Sequence, residues 1–220
     1  MSEQPPTPIW DDEDPDRGNG EFYQSVGVGP HPEPWPVGEH YDVELLAKGD
    51  RRNVVDKYRY WTVEAIRADL DVSRRPLHVA IENWQHDLNI GAIVRTANAF
   101  NVAAVHIIGR RRWNRRGAMV TDKYMHIHHH ETVADFAAWA VAAEVAIIGV
   151  ENGVAAAPLD STKLPKTCAL FFGAESAGLS DDAIAVCAQL VEIPQSGSTR
   201  SMNASAAAAI AIWAWTVQHA

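Results

Sequence analysis

Residue types suited to chemistry occur in three stretches of this sequence, each following a short apolar run. Asn89 and Arg95 lie in the first stretch, Gly173 and Glu175 in the second, and residues 193–205 form the third. The third stretch combines glycine, hydroxyl residues and an amide side chain just before a helical pattern. Backbone N–H groups at a helix start, with hydroxyl and amide groups beside them, can hold a polar cofactor and a reacting group together. We therefore expect a ligand-binding site built from loops.

The elements that would position these stretches alternate between strands and helices. Continuous apolar runs predict buried strands at 77–81, 102–109, 145–150 and 168–173, with a further short strand before Pro194, and alternation predicts an edge strand within 124–130. Helical patterns cover 62–70, 92–100, 132–144, 181–190 and 201–220, the last with Ser201 or a neighbour as its N-cap. This alternation predicts an α/β fold with a mostly parallel sheet and helices on both faces. The three stretches would then meet at the carboxyl ends of the strands.

The charge and proline content divide the 220 residues unevenly. Residues 1–50 carry twelve acids and two bases, whereas residues 51–220 are nearly neutral. The net charge of -9 therefore comes from the N-terminal residues. Residues 1–39 hold eight of the twelve prolines and show no sustained period, which predicts a flexible acidic tail. We expect an N-terminal extension with a short helix at 40–75 and the main domain at 76–220.

Composition also excludes several classes of protein. The two cysteines, Cys168 and Cys187, give neither a disulfide framework nor a zinc motif and are typical of a reducing compartment. The sequence shows no apolar run long enough for a membrane span and no signal peptide at its start. No G-x-G-x-x-G motif follows any predicted strand, which argues against a dinucleotide-binding protein. We expect a cytoplasmic protein that does not contact membranes.

The three stretches together resemble the sequence motifs of one enzyme family. Asn89-x-Gly91-x-x-x-Arg95, the segment 172–180 and the segment 193–205 match, in order and spacing, the motifs of the SpoU (TrmH-type) branch of the SPOUT RNA methyltransferases. The resemblance covers residues 77–220, although the family has leucine in place of Met202 and usually methionine in place of Gln195. It implies a C-terminal trefoil knot, S-adenosylmethionine as cofactor, and methylation of a ribose 2′-hydroxyl in tRNA or rRNA.

The resemblance also assigns roles to individual residues. Arg95 corresponds to the family's catalytic arginine, and Gly173, Ile193 and Met202 would line the cofactor pocket. We predict these catalytic residues: Arg95, Asn89, Glu175, Ser201 and Asn203. We predict these cofactor-binding residues: Val150, Gly173, Gly178, Ile193, Gly197 and Met202. A guanidinium is not readily deprotonated, so we expect Arg95 to orient the adjacent phosphate and stabilise alkoxide character. The sequence leaves the identity of the base open.

Two further clusters of side chains were weighed as binding sites. The basic segment is the cluster of five arginines around one tryptophan between 110 and 116, and we predict that it binds RNA: Arg110, Arg111, Arg112, Trp113, Arg115 and Arg116. His126, His128 and His130 would share one face of a strand, with His129 opposite. Three imidazoles could bind zinc, but no fourth ligand at a recognised spacing accompanies them, so we predict no metal site.

The resulting hypothesis is an RNA 2′-O-ribose methyltransferase that works as a homodimer, an assembly implied by the family. In that family the catalytic arginine acts across the subunit interface, and helix 201–220 is a candidate for part of the contact. The alternative is a non-catalytic RNA-binding or ribosome-assembly protein on the same fold. A methyltransferase for protein or a small molecule is a third reading, which the basic segment disfavours.

Overall fold

The computed structural model describes residues 27–83, 89–153, 156–174 and 177–220. The chain divides into two compact units, Met1–Thr62 and Val63–Ala220. The larger unit contains every residue that the sequence analysis predicted to be functional. The predicted boundaries at residues 39 and 75 stay predictions, and residues 1–26 of the predicted tail lie outside the described residues.

The described part of the smaller unit is organised around the buried carboxylate of Asp50. The Arg52 guanidinium donates two hydrogen bonds to it, of 2.9 and 2.7 Å, and the backbone N–H groups of Arg52 and Tyr60 donate two more, at 3.0 and 2.9 Å. Val28 pairs with Asp50 in an antiparallel bridge. Because a buried carboxylate must be paired and hydrogen-bonded, these contacts fix residues on both sides of the helix α1 (Val43–Lys48).

Seven strands in the described ranges form one sheet in the larger unit, with the order β3-β2-β1-β6-β4-β7-β5. Their bounds are β1 (Arg75–Asn83), β2 (Val102–Gly109), β3 (Ile127–His130), β4 (Ala146–Val150), β5 (Ala157–Pro158), β6 (Cys168–Phe172) and β7 (Gln189–Glu192). Every neighbouring pair is parallel. The predicted parallel sheet is confirmed, and all carboxyl ends lie along the same edge of it.

Helices cover both faces of this sheet, as the sequence predicted. Their bounds are α2 (Val63–Asp71), α3 (Asn89–Ala99), α4 (Val133–Ala142), α5 (Asp181–Val186) and α6 (Ala204–Gln218). Helices α3 and α6 contribute to one apolar core with the odd-numbered residues of β1, and α4 and α5 contribute to the second core on the opposite face. None of the helices in the described part of the chain has the length and apolar content needed to span a bilayer.

Four element predictions were wrong in their bounds. The helix predicted at 92–100 begins earlier, at Asn89. The helix predicted at 181–190 ends at Val186, because residues Gln189–Glu192 pair with β4 as strand β7. The predicted edge strand at 124–130 begins only at Ile127, after a 3₁₀ turn at Thr121–Tyr124. The last helix begins at Ala204, and its N-cap is Asn203 rather than Ser201. Strand β5 was not predicted, since two residues carry no periodicity.

Candidate active site

A cleft opens at the carboxyl ends of three neighbouring strands, β6, β4 and β7, and at the start of α6. Its lining comes from four segments, each directly after a strand or at the helix start: Val150, Glu151 and Asn152; Phe172, Gly173, Ala174 and Gly178; Ile193 and Gln195; Ser201, Met202, Ala204 and Ala207. Ligands of open parallel sheets bind outside the carboxyl ends of the strands. The cleft is therefore the candidate site for a cofactor.

Most of the residues predicted to bind the cofactor line this cleft. The structure brings together Val150, Gly173, Gly178, Ile193 and Met202. Gly197 is not among the lining residues; it is exposed, and a Cβ atom placed on it would have no neighbour within 4 Å. Gly197 thus lies in the open part of the loop between β7 and α6.

Gly173 is required by the path of the backbone itself. Ala174 and Gly178 form an antiparallel bridge that closes the loop after β6, with hydrogen bonds of 3.1 and 2.8 Å. A Cβ atom on Gly173 would lie 1.9 Å from the carbonyl carbon of Gly178. Gly178 itself has a φ of 69°, in the region that favours glycine. The two glycines therefore bring bare backbone to the wall of the cleft.

Two carboxylates that the sequence analysis did not assign hold the loops around the cleft. Glu151 accepts hydrogen bonds from the backbone N–H groups of Leu179, at 2.7 Å, and Asn152, at 3.1 Å. Fully buried Glu82, at the end of β1, accepts from the backbone N–H of Ser180 at 2.8 Å and from its hydroxyl at 2.7 Å. An acid directly after an apolar run was the available signal in both cases. Both carboxylates tie a strand end to the residues that lead into α5, Leu179 and its N-cap Ser180.

Asn89 and Asn203 contact each other across 114 residues of sequence. The Asn203 amide donates to Asn89 Oδ1 at 2.8 Å, while its oxygen accepts from the backbone N–H groups of Ser205 and Ala206 and caps α6. The first residue of α3 is thereby tied to the start of α6, which forms one wall of the cleft. Ser201 is exposed and lines the cleft. Glu175, the remaining predicted carboxylate, lies outside the described residues.

Arg95 stands apart from these residues. It is exposed on α3 and does not line the cleft of its own chain. Its guanidinium makes no hydrogen bond or ion pair with any residue that the structure describes. Since Arg95 lies six residues after Asn89, it is displaced about 9 Å along the helix axis from the contact with Asn203. Within the described residues, therefore, no contact holds the guanidinium back from another molecule.

The basic segment follows β2 and is fixed to the body of the protein by its backbone. The amide of buried Asn83 donates to the carbonyl oxygens of Arg110, at 2.6 Å, and Arg112, at 2.9 Å. A Cβ atom on Gly91 would lie 2.8 Å from the carbonyl oxygen of Asn114, so the segment packs directly on α3. All five arginines are exposed, while Trp113 is half-buried against the core. The segment therefore presents its charges from a rigid support.

The chain is similar in sequence to a known protein family. Residues 76–213 match the model of the SpoU rRNA Methylase family, which is more than half of the chain. The chain belongs to the SpoU rRNA Methylase family. The match includes each predicted catalytic and cofactor-binding residue, and the resemblance found in the sequence is confirmed.

Curated relatives support membership of the SpoU family, and a solved structure shares the fold. The chain is 30% identical over 147 residues to the tRNA (guanosine(18)-2′-O)-methyltransferase of Escherichia coli (strain K12), covering 64% of this chain and 63% of that protein. It thus spans just under two thirds of that relative's length. The 23S rRNA (guanosine-2′-O-)-methyltransferase RlmB of Nitrosomonas europaea is 31% identical over 179 residues, 78% of this chain and 67% of its own. The SpoU methyltransferase AviRb from Streptomyces viridochromogenes, in complex with AdoMet, superposes with a TM-score of 0.61 at 21% identity, covering 69% of this chain and 64% of that one.

Four histidines of the sheet of this SpoU protein lie on the face opposite α3 and α6: His78, His106, His128 and His130. His106 is fully buried on β2, with Nε2 3.1 Å from Nδ1 of His78 and Nδ1 2.9 Å from Nε2 of His130. We call these three residues the histidine chain. His128 stacks on His106, as predicted for one shared face, whereas His129 points the other way and donates to a backbone carbonyl. In the described residues no three His, Cys, Asp or Glu side chains are arranged to hold a metal ion.

Burial shifts the protonation of the histidine chain. Desolvation lowers the pKa of His106 from 6.5 to about 2, and the neighbouring histidines lower it further in the same direction. Desolvation, together with His128, lowers the pKa of His78 to about 4. The pKa of His130 is also lowered, chiefly by burial. A neutral imidazole has one donor and one acceptor, so His106 can donate to one of its two neighbours and accept from the other only while its own ring is neutral.

Proposed function

We propose that this protein methylates a ribose 2′-hydroxyl of tRNA or rRNA, with S-adenosylmethionine as the methyl donor. Membership of the SpoU family supports the reaction class, and the names of the E. coli and N. europaea relatives support the acceptor. The observation that carries the proposal is the cleft at the ends of β4, β6 and β7, which contains five of the six residues predicted to bind the cofactor.

The composition of the cleft fits the proposed cofactor. Ile193 and Met202 are half-buried and leave apolar surface facing the cleft, which suits the face of an adenine ring. Gly173 and Gly178 offer backbone without side chains, so a ligand can approach the peptide groups closely. When bound, S-adenosylmethionine supplies an electrophilic methyl group on a sulfonium. The chain itself contributes the walls that orient this group and exclude water.

On the acceptor side, Arg95 is the residue that we propose to contact the RNA. A guanidinium stays protonated in proteins, so its role is to hold the phosphate next to the target ribose and to stabilise negative charge on the 2′-oxygen. For the methyl transfer, the enzyme must hold that oxygen in line with the methyl carbon, at a distance of roughly 3–3.5 Å. The target nucleotide would lie between the walls of the cleft, which are supported by three polar residues: Asn89, Ser201 and Asn203.

We further propose that the active unit is a homodimer. Arg95 does not line the cleft of its own chain, so a second copy would have to bring its arginine to this cleft. Helix α6 carries exposed apolar side chains on one face at Ile210, Trp213 and Val217, with exposed fractions of 42%, 57% and 57%. Phe100 lies beside Trp213, with ring centroids 6.1 Å apart. Such a face, exposed in one chain, suits an isologous contact between two.

The activity is tested in two separate reactions. Each contains the purified protein and S-adenosylmethionine, with unmodified total tRNA in one and unmodified total rRNA in the other. Nucleoside mass spectrometry should detect one 2′-O-methylated nucleoside in one of the two RNA pools. RNA from cells lacking the gene should have lost the same nucleoside. Absence of any methylated ribose in both experiments would favour the alternative of a non-catalytic RNA-binding protein.

Mixing two inactive variants tests the dimer and the role of Arg95 together. Arg95→Ala removes the acceptor-side cation, whereas Met202→Arg blocks the cleft and repels the sulfonium. If the arginine acts across the interface, each mixed dimer has one intact site, and an equal mixture should regain about a quarter of wild-type activity. No recovery, with exchange of subunits verified by light scattering of tagged chains, would place Arg95 in its own subunit's site.

Two finer features belong to the same proposal. The order β1-β6-β4-β7 places β6 between two earlier strands, and this crossing supports the C-terminal trefoil knot that the family implies. A traced crystal structure of residues 63–220 would test it.

We also place the protein in the cytoplasm, where its RNA substrates are, and cell fractionation would test that location.

A further inference from the structure

A second concave surface lies at the other edge of the sheet from β7. This groove, of about 530 Å³, runs between α2, the basic segment and the edge strand β3. We call it the β3 groove. Cationic and aromatic side chains line it from four separate elements, namely α2, the basic segment, the 3₁₀ turn Thr121–Tyr124 and β3: Arg67, Arg111, Trp113, Arg115, Lys123 and His128. The groove and the cleft share no lining residue.

The positive charges of the β3 groove are only partly compensated. Within the described residues, neither the Arg111 guanidinium nor the Lys123 ammonium makes a hydrogen bond or ion pair. Arg67 donates to the backbone carbonyl of Lys123 at 2.6 Å, which positions its charge without neutralising it. The acidic lining residue, Asp122, lies 3.6 Å from Arg115. The groove therefore retains an excess of positive charge, which attracts an anionic ligand.

The groove also holds planar groups in fixed positions. Trp113 packs partly on the core, and the guanidinium of Arg115 lies 5.6 Å from the centre of its ring, with the Arg115 side chain 73% exposed. His128 stacks on buried His106, and His126 contacts Asp71 at 2.8 Å. Nucleobases of single-stranded RNA stack on aromatic rings and on arginine guanidinium planes. Groups that are already ordered lose little entropy when a ligand binds.

The edge of the sheet adds backbone groups to this surface. Strand β3 pairs only with β2 among the described strands, so half of its backbone N–H and C=O groups face away from the sheet. A single small anion would need donors that converge on one point. Here the donors are spread along a groove, which matches a chain of phosphates.

We propose that the β3 groove binds the ribose-phosphate backbone of single-stranded RNA flanking the target nucleotide. The inference rests on the proposed function only in taking RNA as the substrate. Strands β3 and β6 are three strand spacings apart in the sheet order, roughly 14 Å. A strand of RNA whose target ribose lies at the cleft would reach the groove several nucleotides away. The groove thus contributes affinity for the substrate and leaves the chemistry to the cleft.

The test uses the full-length protein, fluorescent oligouridine as the probe, and two substitutions that lie in the groove and outside the basic segment. Lys123→Gln and Arg67→Gln each remove one charge, and Lys166→Gln is the matched control, since Lys166 is exposed and precedes β6 at the opposite end of the sheet. Each groove variant should weaken oligouridine binding about fivefold at low salt and reduce the log–log salt slope by roughly 0.7. Melting temperatures should show that all three variants remain folded.

Three outcomes separate this inference from the proposed function. If the wild type methylates RNA and the groove variants raise the KM for RNA with kcat unchanged, both stand. If the wild type methylates RNA but the groove variants bind oligouridine like Lys166→Gln, the groove inference is overturned and the function stands. If no methyl transfer occurs while the groove variants still lose oligouridine affinity, the groove stands and the enzymatic proposal fails. Photochemical crosslinking should place the adduct within residues 111–129, and an adduct confined to other peptides would count against the groove.

Discussion

Mild acid should destabilise this protein through the histidine chain of His78, His106 and His130. An unfolded histidine titrates near pH 6.5, whereas the folded pKa values of His106 and His78 are about 2 and about 4. Below pH 6.5 the unfolded state therefore binds more protons than the native state, so the free energy of unfolding falls as the pH falls. The stabilisation by the neutral histidines is fully present at pH values above about 6.5, the pKa of an unfolded histidine. It is lost as the pH falls towards the lower pKa values of the folded state.

The magnitude follows from the linkage relation. Each histidine that stays neutral in the native state contributes a slope approaching ~1.4 kcal/mol per pH unit, so His78 and His106 together should cost about 2 kcal/mol between about pH 6 and pH 5. For a domain with a total stability of about 5–15 kcal/mol, that loss is easily measured. Urea denaturation at a series of pH values, followed by tryptophan fluorescence, gives the free energy of unfolding at each pH.

His106→Gln provides the decisive comparison, because glutamine keeps a donor and an acceptor but cannot titrate. The variant should be less stable than the wild type near neutrality, yet it should lose about 1 kcal/mol less than the wild type over the same pH interval. An unchanged urea m-value would show that both proteins unfold from comparably compact native states. If the wild type and His106→Gln have the same pH dependence, then His106 is not a neutral buried histidine and the reasoning is refuted.

Three further predictions concern the candidate active site. Arg95→Ala should abolish methyl transfer while calorimetric titration shows S-adenosylmethionine affinity within about twofold of wild type, because Arg95 lies outside the cleft; a large loss of cofactor affinity would show that its role is wrongly assigned. Gly173→Ala should weaken cofactor binding and lower the melting temperature, since its Cβ would overlap the backbone of the same loop, whereas Gly197→Ala, with open space around it, should change neither; equal behaviour of the two variants would contradict this account. Asn203→Ala should cost more than about 1 kcal/mol in urea unfolding, because it removes the α6 cap and the contact to Asn89 together; a stability equal to that of Ser198→Ala in the same exposed loop would show that neither contact contributes.

The sequence by itself determined the class of fold and the family. Apolar runs predicted strands β1, β2, β4 and β6 close to their observed positions, because a strand buried on both faces must be apolar along its whole length. The spacing of Asn89, Gly91 and Arg95 is likewise a local property, readable in one stretch of chain. These features needed no knowledge of which strand lies next to which.

Tertiary structure decided which side chains meet. Asn203 contacts Asn89, and Ser180 contacts Glu82, across 114 and 98 residues respectively. Nothing local distinguishes such partners, since the sheet order β1-β6-β4-β7 that brings them together is set by packing of the whole sheet. The sequence predicted a short strand before Pro194 but assigned its first residues, Gln189 and Leu190, to the preceding helix, because a local pattern does not show that their backbone groups pair with β4.

The histidine chain also depends partly on the local sequence and partly on the tertiary structure. His78 and His106 each stand within an apolar run that predicted a buried strand, so the sequence placed both near the core. Whether they contact each other depends on the register of β1 against β2, which pairs His78 with Ala104 and Ala80 with His106. A shift of one residue would turn His106 to the opposite face. The apolar runs determined that the strands of His78 and His106 would be buried, and only the register of three strands, fixed by packing on both faces, joined these two imidazoles to His130 in a chain.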